Sequence, residues 1–142
     1  MIDKNYLYNI SFPDEKILEI TFLDKSDFYS LSLKNNNYIV IGGDENIETN
    51  IIGIAENDNV YYITTDDLNF CYISINIQTF IKQLLLFRDY VNHFPKNPDD
   101  KKISELTENF KLKILELDIN SFYNENTFWS QICEEMEYGI II

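Results

Sequence analysis

Basic residues are scarce in this chain: eleven Lys and Arg stand against 24 Asp and Glu, for a formal net charge of −13. Arg88 is the one arginine. With no basic stripe to neutralise phosphates, direct nucleic-acid binding is disfavoured. His93 is the sole histidine. It sits beside Phe94 and Pro95 in no catalytic motif, and a surface or helix-end role fits it better than that of a base. Cys71 and Cys133 make no CxxC pair, and one His cannot complete a usual Cys/His zinc site. Both cysteines fall inside apolar patterns and read as buried thiols of a reduced, cytoplasmic protein. No apolar run approaches the roughly 18 residues that span a bilayer. The start, "MIDKNYLYNI", lacks a basic n-region followed by an apolar h-region, so no signal peptide is expected. Pro95 to Pro98 is the sole candidate hinge and is too short to separate domains. One domain over residues 1–142 is the expectation.

What the chain does hold is apolar and aromatic, with ten Phe and ten Tyr. Period-2 alternation predicts strands in "KILEITFL" (Lys16 to Leu23) and "FYSLSL" (Phe28 to Leu33). "NYIVIGG", "NIIGIA", "NVYYITT" and "NFCYIS" follow at spacings that suit antiparallel meanders. From Asn76 onward the period changes to that of helices. Asn76 can cap a helix with the stripe Ile77, Phe80, Ile81, Leu84, Leu85 and Val91. A second helix starts after Pro98, with Asp99 and Asp100 favouring its N-terminus. Its stripe is Ile103, Leu106, Phe110, Ile114 and Leu117. Asn126 or Thr127 caps a third, in which Trp129, Ile132, Cys133 and Met136 form one stripe and Glu134, Glu135 and Glu137 face water. Gly139 ends it. The fold class is therefore α+β: a largely antiparallel sheet from the N-terminal half, with about three C-terminal helices packed against it.

Acidic residues gather in the connections between predicted strands: Asp44 and Glu45, Glu56 and Asp58, Asp66 and Asp67. Together they read as one acidic rim at an edge of the sheet. A rim of this kind favours a basic protein partner, because a negative field steers cationic surfaces into contact. One of Tyr61 and Tyr62 should point away from the core as an aromatic anchor, since successive strand residues face opposite ways. "ENDNV" and "GGDEN" lack the EF-hand order of ligands, so neither metal nor cofactor is expected. "GGDENIET" fits no phosphate-binding glycine motif and reads as a turn.

Three blocks resemble a known family: "NYIVIGGDENIETNIIGIAENDNVYYI", "FCYISINIQTFIKQLLLF" and "FWSQICEEMEYGI". They are similar to successive stretches of the SUKH superfamily, especially its fourth subgroup, and the likeness spans residues Tyr38 to Ile142. There a strand ending in Ile-Gly leads into a hairpin, then an aromatic-bearing helix, and a Trp-containing helix ending Glu-Tyr-Gly closes the domain. The resemblance implies an α+β fold and a bacterial immunity protein that binds and neutralises a cognate polymorphic toxin, a nuclease or deaminase, without catalysis. The alternative it allows is a regulatory or scaffold module that binds proteins.

Overall fold

The computed structural model describes residues 4–45 and 47–139. Among them lie six strands: β1 (Thr21–Phe22), β2 (Tyr29–Leu33), β3 (Asn36–Gly43), β4 (Asn50–Ala55), β5 (Val60–Thr64) and β6 (Asn69–Ser74). The helices are α1 (Ile77–Asn92), α2 (Asp100–Leu117) and α3 (Phe128–Glu137), giving the α+β order expected. β3 to β6 form an antiparallel meander. β4 occupies one edge of β3, so β1 and β2 share the other, each antiparallel to it. Ile140, at the end of the third quoted block, lies outside the described residues.

The strand expected over Lys16 to Leu23 does not form as such. Ile17 and Ile20 instead face each other across a tight turn, in which Leu18 and Glu19 have φ of 53° and 64°. Packing explains the difference. Both isoleucines are buried, and a straight strand would send residues three apart to opposite faces. Turning the chain at Leu18 and Glu19 brings both into one core.

That core lies between the helices and one face of the sheet. Ile41, Ile52, Ile54, Val60 and Ile73 meet Ile77, Phe80, Leu84, Phe110, Ile114, Trp129 and Met136 there. The other face is apolar too, with Tyr38, Val40, Ile51 and Ile63 buried and Leu31, Leu33, Tyr61 and Phe70 packed around them. The rings of Tyr38 on β3 and Phe70 on β6 stack 5.7 Å apart, although β4 and β5 run between their strands. Gly53 permits this. A Cβ there would stand 3.3 Å from that of Tyr38 and 3.1 Å from Ile63.

The helix ends follow local rules. Asn76 Oδ1 accepts the Thr79 N–H at 2.8 Å, Asp99 Oδ1 accepts that of Lys102 at 2.8 Å, and Thr127 Oγ1 that of Ser130 at 3.3 Å. Gly139 takes φ of 71° just past α3, where a side chain would be strained. The buried face of α1 differs from the expected stripe at three positions. Val91 is exposed, while Gln83 and Phe87 are buried. α1 is covered by α2 and α3 as well as by the sheet, so its buried arc is wider than a single stripe.

Gln83 is tolerated inside because its amide is used at both ends. Its Oε1 accepts the indole N–H of Trp129 at 2.8 Å, and its Nε2 donates to Ser121 Oγ at 3.1 Å. Trp129 is 0% exposed, with its ring against Phe110 and Phe128. Trp129→Ala should cost about 3–5 kcal/mol, the usual penalty for emptying a large aromatic site. Trp129→Phe should still cost about 1–3 kcal/mol, because the Gln83 carbonyl loses its donor. Glu134→Gln with Glu135→Gln should leave the midpoint almost unmoved, since both side chains are exposed. Urea melts of the three variants check this ordering.

Candidate functional site

The acids of the strand connections do not form one rim. A meander places alternate connections at opposite ends of the sheet. Asp44 and Glu45 share an end with Asp66 and Asp67, where the Thr65 N–H donates to the Thr49 carbonyl at 2.8 Å. Glu56 and Asp58 lie at the other end, about 15 Å away by the rise of a five-residue strand.

The environments of the two groups differ as well. Asp44 Oδ2 accepts the Tyr62 hydroxyl at 2.5 Å and Asn50 Nδ2 at 3.1 Å, which ties β3, β4 and β5 together at their ends. Glu45 lies 3.9 Å from the Lys16 ammonium, while Asp66 and Asp67 are exposed and make no ion pair among the described residues. At the far end, Asp58 Oδ1 takes the Lys4 ammonium at 2.6 Å and the Tyr6 hydroxyl at 3.0 Å. Lys4 also donates to the Glu56 carbonyl, and Glu56 Oε1 accepts Asn37 Nδ2. This pair clasps the N-terminal segment to the sheet.

Tyr61 and Tyr62 face opposite ways, as the alternation requires. Tyr62 is on the helix side, 6.2 Å from the Phe128 ring, and burial followed by the Asp44 hydrogen bond raises its phenol well above the ordinary value. Tyr61 is on the helix-free face, edge-on between Tyr38 and Tyr72. Both are half-buried. The hydroxyl of Tyr62 is already engaged, whereas Tyr61 lies on the face opposite α1, α2 and α3, beside Tyr72 and the segment from Asp118 to Tyr123.

A separate concavity lies elsewhere on the surface. A cavity of about 520 Å³ opens between the Leu18–Glu19 turn, the last turns of α1 and the exposed side of α3. Ile17, Leu18, Phe87 and Ile132 make its floor, and Glu15, Glu19 and Glu135 stand on its rim with Lys16 and Arg88. The two cations are shared among several acids. Arg88 is 2.6 Å from Glu15 and 3.8 Å from Asp89, and Lys16 is 3.6 Å from Glu19 and 3.9 Å from Glu45. Lys16 thus joins the cavity rim to the β3–β4 connection in one acidic region. α1 ends at Asn92 on the cavity lining, and its C-terminal carbonyls add negative potential. His93 rests there as the sequence suggests, exposed, with Nδ1 2.8 Å from the Asp89 carbonyl oxygen.

None of these groups is set up as a nucleophile. Burial pushes the Cys71 thiol up to about 11 and the Cys133 thiol up to about 12, so both remain protonated at neutral pH. Among the described residues no cluster of three or more His, Cys, Asp or Glu could hold a metal ion. No helix of the described residues is long and apolar enough to cross a membrane. Sequence reasoning missed the cavity because Glu15 and Arg88 meet across 73 residues of chain and the turn at Leu18 carries no glycine or asparagine to announce it.

The Lys4 ammonium, chiefly, holds the Asp58 carboxyl below its ordinary value of 3.8. A depressed acid contributes stability that is present above the unfolded value and is lost as pH falls through the folded one. Asp58→Asn should therefore lower the melting temperature at pH 7 by about 2–4 °C, given a half-exposed carboxylate. The gap from wild type should close as pH drops below about 4. Thermal melts of both proteins from neutral to acid pH measure it. Compared with known proteins, the chain matches no family model, no curated protein and no solved structure.

Proposed function

We propose that the chain is a bacterial immunity protein of the SUKH type, which binds a cognate polymorphic toxin in the cytoplasm and blocks it without catalysis. The observation that carries this reading is the acidic region around the 520 Å³ cavity, with an apolar floor and a rim in which carboxylates outnumber cations. A toxin domain directed at nucleic acid must present a basic surface to phosphates. That surface suits the rim here, and an apolar side chain at its centre suits the floor of Leu18, Phe87 and Ile132. Asp44, Glu45, Asp66 and Asp67 extend the field beyond the cavity, whereas Glu56 and Asp58 lie outside the contact. The protonated thiols and the absence of a metal-ligand cluster among the described residues favour inhibition by occupancy over chemistry.

The experiment is capture of a toxin domain from the native strain by this chain, followed by co-expression of the two. Rescue of growth supports the reading, and growth arrest despite stable, folded chain contradicts it. Reversal of Glu19, Glu45 and Glu135 to Lys should cut the association rate about tenfold or more and leave dissociation within about threefold, since rim charges steer encounter. Glu56→Lys should change neither. Surface-plasmon kinetics across a salt series measures both. Purified protein should leave RNA and DNA intact with or without Mg²⁺. Cleavage that disappears in Asp66→Asn, Asp67→Asn would overturn the non-catalytic reading.

A further inference from the structure

The outer edge of β2 is built for pairing and nothing among the described residues occupies it. Lys34 and Asn35, with φ of 49° and 65°, make a two-residue turn of the type that closes a tight hairpin. Such a turn makes Leu33 and Asn36 a hydrogen-bonded pair, and bonding then alternates along the strand. Tyr29, Leu31 and Leu33 therefore direct their backbone groups to β3, while Ser30 and Ser32 direct theirs outward. Both serines are exposed and make no further hydrogen bond among the described residues. The other end of the sheet is managed differently. There Asp118 Oδ2 takes the Ile75 N–H just past β6, and the Asn126 carbonyl accepts the Cys71 thiol.

Edge strands in monomers are usually blunted by a lysine, a proline or a bulge. From Phe28 to Leu33 there is no charge and no proline, and the β2–β3 register runs without a shift. The side chains extend the helix-free apolar face to the rim. Leu31 and Leu33 pack against the Tyr38 cluster, and Tyr29 is 44% exposed. The nearest charges are unlike and lie at opposite ends, Asp27 before the strand and Lys34 after it. Antiparallel pairing of this segment with itself brings unlike ends together; parallel pairing would bring like ends together.

We propose that β2 pairs antiparallel with β2 of a second copy of this chain, joining two sheets about a two-fold axis at Leu31. In this register Ser30 bonds to Ser32 of the second copy and Ser32 to Ser30 of the second copy, which uses every outward backbone group of the two residues. Leu31 then meets Leu31 of the second copy as a non-hydrogen-bonded pair, at the closer of the two antiparallel Cα separations, about 4.5 Å. Tyr29 covers Leu33 of the second copy. The contact is isologous, so it closes at two chains. The net charge of −13 on each chain opposes the approach, which makes the dimer weak and sensitive to salt. The proposal does not rest on the toxin reading, since the edge and the acidic cavity are different surfaces.

Sedimentation equilibrium from about 5 µM to about 1 mM tests it, because a weak dimer forms by mass action. The mass should rise from the monomer's 16.9 kDa toward twice that value. Raising salt from about 0.02 M to about 0.3 M should increase the dimer fraction, as screening relieves like-charge repulsion. Ser32→Pro removes an N–H that no internal strand uses, and Leu31→Lys places a charge at the centre. Each should weaken association at least about tenfold. Amide exchange in the unaltered protein gives a second readout that no folding defect can confuse: Ser30 and Ser32 should be slowed in concentrated samples only. A mass of 16.9 kDa at every concentration, or association that neither variant weakens, would overturn the proposal. So would protection of these amides only after a toxin domain is added, which would assign the edge to that partner.

Discussion

The burial of Trp129 on Gln83 is the constraint on which the helical half depends. A fully buried indole needs an acceptor for its N–H, and a fully buried amide needs partners for both of its ends. Here one bond serves both residues, and Ser121 completes the chain of donors across α1, the turn before α3, and α3 itself. Thr127 Oγ1 adds a bond to the Ser121 carbonyl at 2.6 Å, so the cap of α3 is fixed to the same point. Inside a low-dielectric core a polar chain of this kind has one satisfied arrangement, and it selects the rotation of α3. Ile132 and Glu135, one and two turns beyond Trp129, are thereby turned onto the wall of the acidic cavity. Asp118, a buried acid, does similar work at the C-terminal end of α2. Asp118 accepts from the Tyr72 hydroxyl, the Ile75 N–H and the Asn120 N–H, and so binds the end of α2 to the end of β6.

Four of the eleven cations tie the N-terminal segment to the rest of the chain. Lys4 binds Asp58, Lys16 lies near Glu45, Lys25 donates to the Tyr8 carbonyl and Arg88 binds Glu15. Each link joins a residue between 4 and 19 to a later stretch of the chain. In a protein this acidic, the first strands and turns would otherwise face a like-charged body. Their apolar anchors are Leu7, Ile17 and Ile20, all buried in the main core. The wall of the cavity formed by Glu15 to Glu19 therefore depends on a few ion pairs as well as on packing. The proposed contact surface and the least locally determined region of the fold coincide.

The order of elements is legible in the sequence because each obeys a local rule. Alternation locates β2, apolar runs between turns locate β3 to β6, Asn76, Asp99 and Thr127 act as caps, and the Trp129 stripe faces the core. What is not legible depends on contacts between distant residues. The turn at Leu18 and Glu19 needs two non-glycine residues at positive φ, which only the joint burial of Ile17 and Ile20 explains. Gln83 reads as a surface residue until its partners at Trp129 and Ser121 are in place. Alternation and turn composition find the acids of the strand connections as exposed turns but group them wrongly, since the meander sends Glu56 and Asp58 to the opposite end from Asp44 and Asp66. Among the acids of the cavity region only Glu45 is marked by local sequence.

The central claim is that the acidic cavity region receives a basic protein partner. Hydrogen exchange of the chain alone and in complex with a toxin domain captured from the native strain tests it at the level of segments. The account predicts slowed exchange over residues 15–19, 87–92 and 132–135 and in the connection after β3, with the β4–β5 turn at Glu56 and Asp58 unchanged. Protection confined to that turn, or to the helix-free face around Tyr61, would contradict it.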